Sequence, residues 1–238
     1  SSSRLLIVSD GTDNYNITTA DAITQIDEND DAQFPQNNVG SILFFDDYLL
    51  QATENGNIYN TDSDAFTSWV STAVEDANSR GDELVALILQ TDQIIVLGKY
   101  STETYFDNGN PSGSPLLRID QNIFDIGCAA KETVAQGAEV AMWVAQSPGK
   151  GDGRRYVVMM ERGQKLKVVS YPSLVRILMA EGTSITSSSA FIEGGHGHLL
   201  YVLNLSSANR TFVYDITENM WSEWTAAAGG KFNIVSAT

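Results

Sequence analysis

The stretch "GHLLYVLNLSSANRTFVYDITENMWSEW", residues 197–224, decides how the rest of the chain is read. Apolar and polar residues alternate from Tyr201, "SSAN" has turn chemistry, "TFVYDI" runs back, and "TEN" turns again before Trp221 and Trp224. A period of two is that of a strand with one buried face. The stretch therefore reads as strand pairs written back to back, and the question is whether such a unit performs chemistry or builds a scaffold.

The same order recurs upstream. "SILFF" (41–45), "DD" and "YLLQAT" (48–53) read as a tight hairpin, followed by a turn at "ENGN" (54–57) that carries the strong hairpin dipeptide Asn55-Gly56. "LVALILQ" (84–90) and "IIVLGKY" (94–100) form a second, continued by "STETYFD" (101–107) and the loop "NGNPSGSP". "EVAMWVAQS" (139–147) and "RRYVVMMER" (154–162) form a third, continued by "KLKVVSY". The turn centres are spaced by about 50 residues, in the range of β-propeller blades. Strand fragments lie at both ends, "RLLIVSD" (4–10) and "FNIVSAT" (232–238), and would complete one blade together. The expected fold is all-β: a single propeller domain over 1–238 with about five blades, closed by its terminal strands, or six if 11–38 holds another.

Two stretches break the rhythm. Residues 10–32 hold seven carboxylates and no Lys or Arg, and read as an exposed loop. "PSLVRILMAEG" (172–182) has helix spacing, with Leu174, Ile177 and Leu178 on one side, Ser173 placed to cap its start and Gly182 to end it.

Composition bounds the class. Of the 238 residues, 42% are hydrophobic, so a packed core is available and wholesale disorder is excluded. The formal charge of −16 reads first as a solvated acidic surface, and more sharply as a surface that keeps an anion from sticking. Cys128 is the only cysteine, which excludes an intramolecular disulfide and a Cys-based zinc site. No secretory signal is expected from "SSSRLLIVSDG", and apolar runs such as "VAMWVA" (140–145) are too short to span a bilayer, so a soluble chain is expected. The sequons at Asn16, Asn204 and Asn209 read as chance matches.

Candidate chemistry is thin. "GGHGH" (194–198) holds both histidines, and on a strand His196 and His198 would share a face at a metal-ligand spacing. The glycines and the place of the stretch favour a turn. Asp10, Asp13, Asp27, Asp30 and Asp31 lack the D-x-D-x-D-G pattern of a calcium loop. There is no G-x-S-x-G, "GKGDG" (149–153) is no P-loop, and no carboxylate pair is singled out for glycoside chemistry. No histidine lies near Cys128 in sequence, so it reads as a small buried residue. Neither cofactor nor metal is expected. Seven of the fourteen Lys and Arg fall within 27 residues: Lys150, Arg154, Arg155, Arg162, Lys165, Lys167 and Arg176. They read equally as ordinary polar strand faces or as a basic patch, the first six being the candidate contact residues, that meets phosphate or an acidic neighbouring subunit.

Residues 94–147 resemble the packaged-DNA stabilization proteins of short-tailed bacteriophages, also called tail hub or nozzle proteins. The resemblance rests on Ser101-Thr102-Glu103-Thr104-Tyr105, a Gly/Asn-rich loop, the arginine-bearing strand Leu117-Arg118 and the turn Gly127–Ala130. "HLLYVLNLSSANRTFVYDITENMWSEW" matches the family's "Y-V-L…P-x-A-x-x-T-W-V-Y-D…W-x-E" blade, with Phe212 where Trp is common and Ser206 near the usual Pro. The match spans about 140 residues, 84–224. The family's chains are typically longer, so this one reads as a fragment or a short member.

The resemblance implies a non-enzymatic virion protein of the tail, made in the host bacterial cytoplasm. It implies a homo-oligomeric ring below the portal and adaptor proteins that extends the DNA channel and helps retain packaged DNA. Double-stranded DNA would pass nearby without sequence-specific binding, and no membrane is involved. The alternative is a kelch-like carbohydrate-binding or glycan-modifying propeller, suggested by the Gly-Gly, Tyr-Asp and Trp landmarks. A third reading is a generic protein-interaction propeller.

Overall fold

Tight turns of left-handed backbone set the strand pairing. Asp46 and Asp47 have φ of 46° and 66°, and His196 and Gly197 have φ of 52° and 85°. Positive φ at both central residues is what a type I′ hairpin needs, because its twist matches the strands. "SSAN" and "TEN" each end on an asparagine with positive φ, Asn209 (52°) and Asn219 (56°). Asparagine tolerates this region better than other side chains. The computed structural model describes residues 5–10, 13–18, 22–110, 112–137, 139–149, 153–161 and 165–232. The expected closing strand 232–238 lies, beyond Phe232, outside the described residues.

The described residues form five antiparallel sheets, none of which closes on itself, in two compact units, Ser1–Phe124 and Asp125–Thr238.

The first unit holds three sheets. β1 (Leu5–Ser9), β2 (Asn14–Thr18) and β3 (Ile23–Ile26) form the first, in that order. This corrects the expected exposed loop at 10–32, which contains two strands. The carboxylates that masked the pattern sit in the turns: the Asp13 N–H donates to Asp10 Oδ1 at 2.9 Å and the Asn29 N–H to Asp27 Oδ1 at 2.7 Å. β4 (Asn38–Phe45), β5 (Tyr48–Thr53), β6 (Asn57–Asp62) and β7 (Ala65–Asp76) form the second sheet. β8 (Leu84–Gln90), β9 (Gln93–Gly98), β10 (Thr102–Asp107) and β11 (Leu116–Arg118) form the third. Leu50, Ile58, Ile94, Val96 and Tyr105 make a shared core for the second and third. A reciprocal amide pair, Asn14 Nδ2 to Gln51 Oε1 at 3.0 Å and Gln51 Nε2 to Asn14 Oδ1 at 3.3 Å, ties the first sheet to the second in the interior. The Trp69 N–H donates to Asp31 Oδ2 at 2.7 Å and adds a second tie.

The second unit holds two sheets. β14 (Val140–Ser147) pairs with β15 (Arg154–Glu161), which pairs with β16 (Lys165–Val168). The other edge of β14 takes β12 (Gly127–Cys128) at one end and β13 (Ala135–Gln136) at the other. β17 (Ser189–Gly195), β18 (His198–Leu205), β19 (Arg210–Asp215) and β20 (Met220–Trp224) form the last sheet. The opening stretch thus supplies three of its four strands.

Between these two sheets lies α1 (Pro172–Ala180), where a helix was expected. Leu174 and Leu178 are fully buried and Ile177 packs beside them. The cap differs from expectation. Tyr171 precedes the helix, Pro172 fills its first position, and the Ser173 hydroxyl accepts from Arg176 NH2 at 3.2 Å instead. Proline already has the required φ and lacks an N–H to satisfy, so no side-chain cap is needed there. Gly182, with φ of 53°, ends the helix as expected.

Candidate functional surface and the buried polar hubs

The charge is divided unequally. The first unit holds twenty carboxylates against four Lys and Arg, and the second ten against ten. The whole formal charge of −16 therefore belongs to the first unit.

Its carboxylates crowd one another. Desolvation, with Asp10, Asp27 and Glu28 nearby, raises the Asp13 pKa above the usual carboxylate range. A hydrogen bond to the Asp107 side chain, and then its charge, raises Asp46. Desolvation, helped by Asp76 and Glu103 and opposed by Arg118, raises Glu75. In the second unit carboxylates meet bases. Arg210 donates to both oxygens of Glu223 at 2.6 and 2.5 Å, and these bonds lower the Glu223 pKa. Desolvation of Asp215 is outweighed by the Glu218 N–H, by His198, whose Nδ1 is 2.6 Å away, and by the Thr217 N–H, so its pKa falls.

The segment that carries the family resemblance is a buried polar hub. Glu103 is 1% exposed. It accepts from the Ser79 N–H at 3.0 Å, the Ser79 hydroxyl at 2.6 Å and the Tyr105 hydroxyl at 2.8 Å, with Arg118 NH1 at 3.4 Å. Burial, then the Glu103 charge, pushes the Tyr105 phenol up, so it stays a donor. Asp82 takes the Tyr100 and Ser101 N–H groups and the Ser101 hydroxyl. A carboxylate with four partners, as at Glu103, or three, as at Asp82, is a scaffold element, because most of its acceptor sites are already taken. Sequence reasoning picked out this segment through its motif, without assigning Glu103 this role.

Of the expected basic patch, the four described residues do not gather on one surface. Lys150 and Arg162 lie outside the described residues. Arg155 faces the interior at 6% exposure, donating from Nε to Gln146 Oε1 at 3.2 Å and from NH1 to Gly182 O at 2.6 Å, where the α1 C-terminus favours a cation. Arg154, Lys165 and Lys167 are exposed. Antiparallel pairing puts Lys165 opposite Glu161 and Lys167 opposite Met159, whereas Arg154 is at the far end of β15, opposite Ser147. At about 3.3 Å per residue this separates Arg154 from Lys165 by roughly 23 Å. Lys167 Nζ donates to Asn219 Oδ1 at 3.2 Å.

The histidines lie exposed in and beside a turn, and Cys128 and the tryptophans serve packing. His196 sits in the hairpin turn and His198 starts β18 against Asp215. Cys128 is buried, its thiol pushed up to about 12 by burial and donating to Ala130 O at 3.3 Å. Trp143 is fully buried and donates to Gly127 O at 3.1 Å. Trp221 reaches from the last sheet to Val169 O at 2.7 Å, and Trp224 packs edge-on against Phe232 at 5.8 Å. No group of three His, Cys, Asp or Glu positioned to hold a metal occurs among the described residues. Among them, no helix is long and apolar enough to cross a membrane.

The family described as "Bacteriophage P22 Gp10, beta-propeller" matches residues 1–234. No curated protein matches the chain. Among solved structures, virginiamycin B lyase from Staphylococcus aureus aligns at 12% identity and a TM-score of 0.56, over 94% of this chain and 69% of that one. A streptogramin B lyase aligns at 11% and 0.51, over 90% and 62%. BBS1N, in complex with ARL6DN, aligns at 13% and 0.52, over 89% and 61%. At these identities the likeness is one of fold.

Proposed function

This chain belongs to the bacteriophage P22 Gp10 β-propeller family, and from that premise we propose that it is a non-enzymatic component of the phage tail hub or nozzle. The five sheets act as blades of one propeller domain. Closure of the ring by the terminal strand segments is part of the same proposal. Supporting this, β1 ends the strand order of its three-stranded sheet, and its Leu6 is 59% exposed. Copies of the chain assemble as a ring beneath portal and adaptor proteins, in the virion tail, and the ring extends the DNA channel and helps hold the genome.

The observation that carries the reading is the family match over residues 1–234. The side-chain chemistry agrees with it: Glu103, Arg155 and Trp143 are all committed to holding the sheets together. The acidic unit also suits a channel component. A duplex must slide during ejection, and a basic wall would grip its phosphates through counterion release.

The test is assembly with and without the protein. Portal–adaptor particles filled with DNA should retain it longer when this chain is added. Equal retention, with no binding of the chain to the particles, would overturn the reading. Turnover of a glycan panel at enzymatic rates would favour the carbohydrate-active alternative.

A further inference from the structure

One cleft in the first unit is built differently from its surroundings. β6 and β7 are in register at Tyr59 opposite Val74 and again at Thr61 opposite Trp69. Asn60 alone therefore faces residues 70–73 of β7, and the ladder opens there. Bulges of this kind re-aim side chains and recur beside binding sites. The opening is a cleft of about 350 Å³, lined by Asn60, Tyr48, Asp62 and Thr72, and by Asn110 and Ser112 of the loop after β10. Its volume is within the range of small-molecule sites, about 300–1,000 Å³.

Asn60 is 2% exposed. Its Nδ2 donates to Thr61 O at 3.0 Å, but its Oδ1, also buried, accepts no hydrogen bond. A buried acceptor without a donor has lost its hydration for nothing, unless something entering the cleft supplies the donor.

We infer that this cleft binds a neutral, hydroxyl-rich ligand of the pyranoside class, with the Asn60 side chain turning to present its covered Oδ1 to a ligand hydroxyl. The lining selects that chemistry. No Lys, Arg or His is among the lining residues, so an anion finds no countercharge, in a unit that already carries −16. Asp62 is the only carboxylate there, and its Oδ2 already accepts from the Ser68 hydroxyl at 3.1 Å. Calcium needs six or more oxygens, several of them charged. Beside the apolar Val70 and Ala73, the remaining polar groups are hydroxyls, that of Tyr48 included, and amides, which both donate to and accept from sugar hydroxyls. The site is independent of the structural role proposed above.

The experiment is an NMR titration of the full chain with methyl α-D-glucopyranoside, methyl α-D-galactopyranoside and methyl α-D-mannopyranoside. Calcium chloride and inorganic phosphate are run alongside. At least one glycoside should shift the amide signals of Asn60, Thr72 and Ser112, saturating on the order of millimolar. Thr72→Trp fills the cleft from the bulge while keeping Asn60 itself and should weaken that binding at least tenfold. Asn60→Ala should do the same, with a urea midpoint measured for both variants to establish that they fold. The inference is overturned if none of the glycosides shifts these signals, if Thr72→Trp binds as well as the parent, or if calcium or phosphate alone saturates the cleft residues.

Discussion

The two units are made of the same strand units but treat charge in opposite ways. In the first, carboxylates outnumber bases five to one; Asp13 and Glu75 are held above the usual carboxylate range by desolvation and neighbouring carboxylates, and Asp46 by its hydrogen bond to Asp107. In the second the numbers balance, and Asp215 and Glu223 are held below it by His198 and Arg210. The same sheet architecture therefore tolerates a self-repelling surface provided that its interior polar groups are closed off. Glu103, Asp82 and the Asn14–Gln51 pair do this in the first unit, as Arg155 does in the second.

The largest effect expected is in the neutral unit. Trp143→Ala removes a fully buried indole and its bond to Gly127 O, and should destabilise the chain by about 3–5 kcal/mol in urea unfolding. Glu103→Ala probes the acidic unit. It strands the Ser79 N–H and the Tyr105 hydroxyl, and should cost about 2–3 kcal/mol, with Arg118 discounted because its side chain is 32% exposed. If Glu103→Ala were instead stabilising, relief of repulsion would outweigh the hub and the contrast between the units would fail. Arg155→Met should cost about 1–3 kcal/mol, since Gln146 and the Gly182 carbonyl lose their donor.

The pH response should separate the units more finely. Where folding raises a carboxylate's pKa, the folded state binds its proton more tightly than the unfolded chain does. The first unit should therefore gain stability as pH falls from neutral through the raised values of Asp13, Asp46 and Glu75. Where folding lowers it, as at Asp215 and Glu223, the contribution is present above the ordinary range of about 4. The second unit should hold level until that range and lose stability below it. Tryptophan reports both: Trp69 is the only one in the first unit, and Trp143, Trp221 and Trp224 lie in the second. Indole NMR signals followed through urea at several pH values would check the opposite slopes. The smallest effect is expected at Lys167→Ala, an exposed contact to Asn219, at less than about 0.5 kcal/mol.

How much of this was legible in the sequence depended on whether the signal was local. The strand pairs at 41–53, 84–100 and 197–224 were, because period-two alternation and turn residues are written within a few positions of each other. α1 was legible from Leu174, Ile177 and Leu178, while its cap was misplaced because Pro172 made one unnecessary. β2 and β3 were hidden, since "DENDD" dominates a window whose strands are only five and four residues long. The basic patch was read from nearness in sequence. Nearness across a hairpin loop is not nearness in space, and the register that brings Lys165 to Glu161 carries Arg154 to the opposite end. The Asn60 cleft had no local signal at all, because it arises from a bulge in β7 and a loop some fifty residues on.

The most direct test of the structural role is electron cryomicroscopy of phage portal–adaptor complexes incubated with this protein. The account predicts an ordered ring of copies that adds length to the channel, with the propeller sheets resolved as blades. Complexes with no added density, and a protein that stays monomeric beside them, would contradict it.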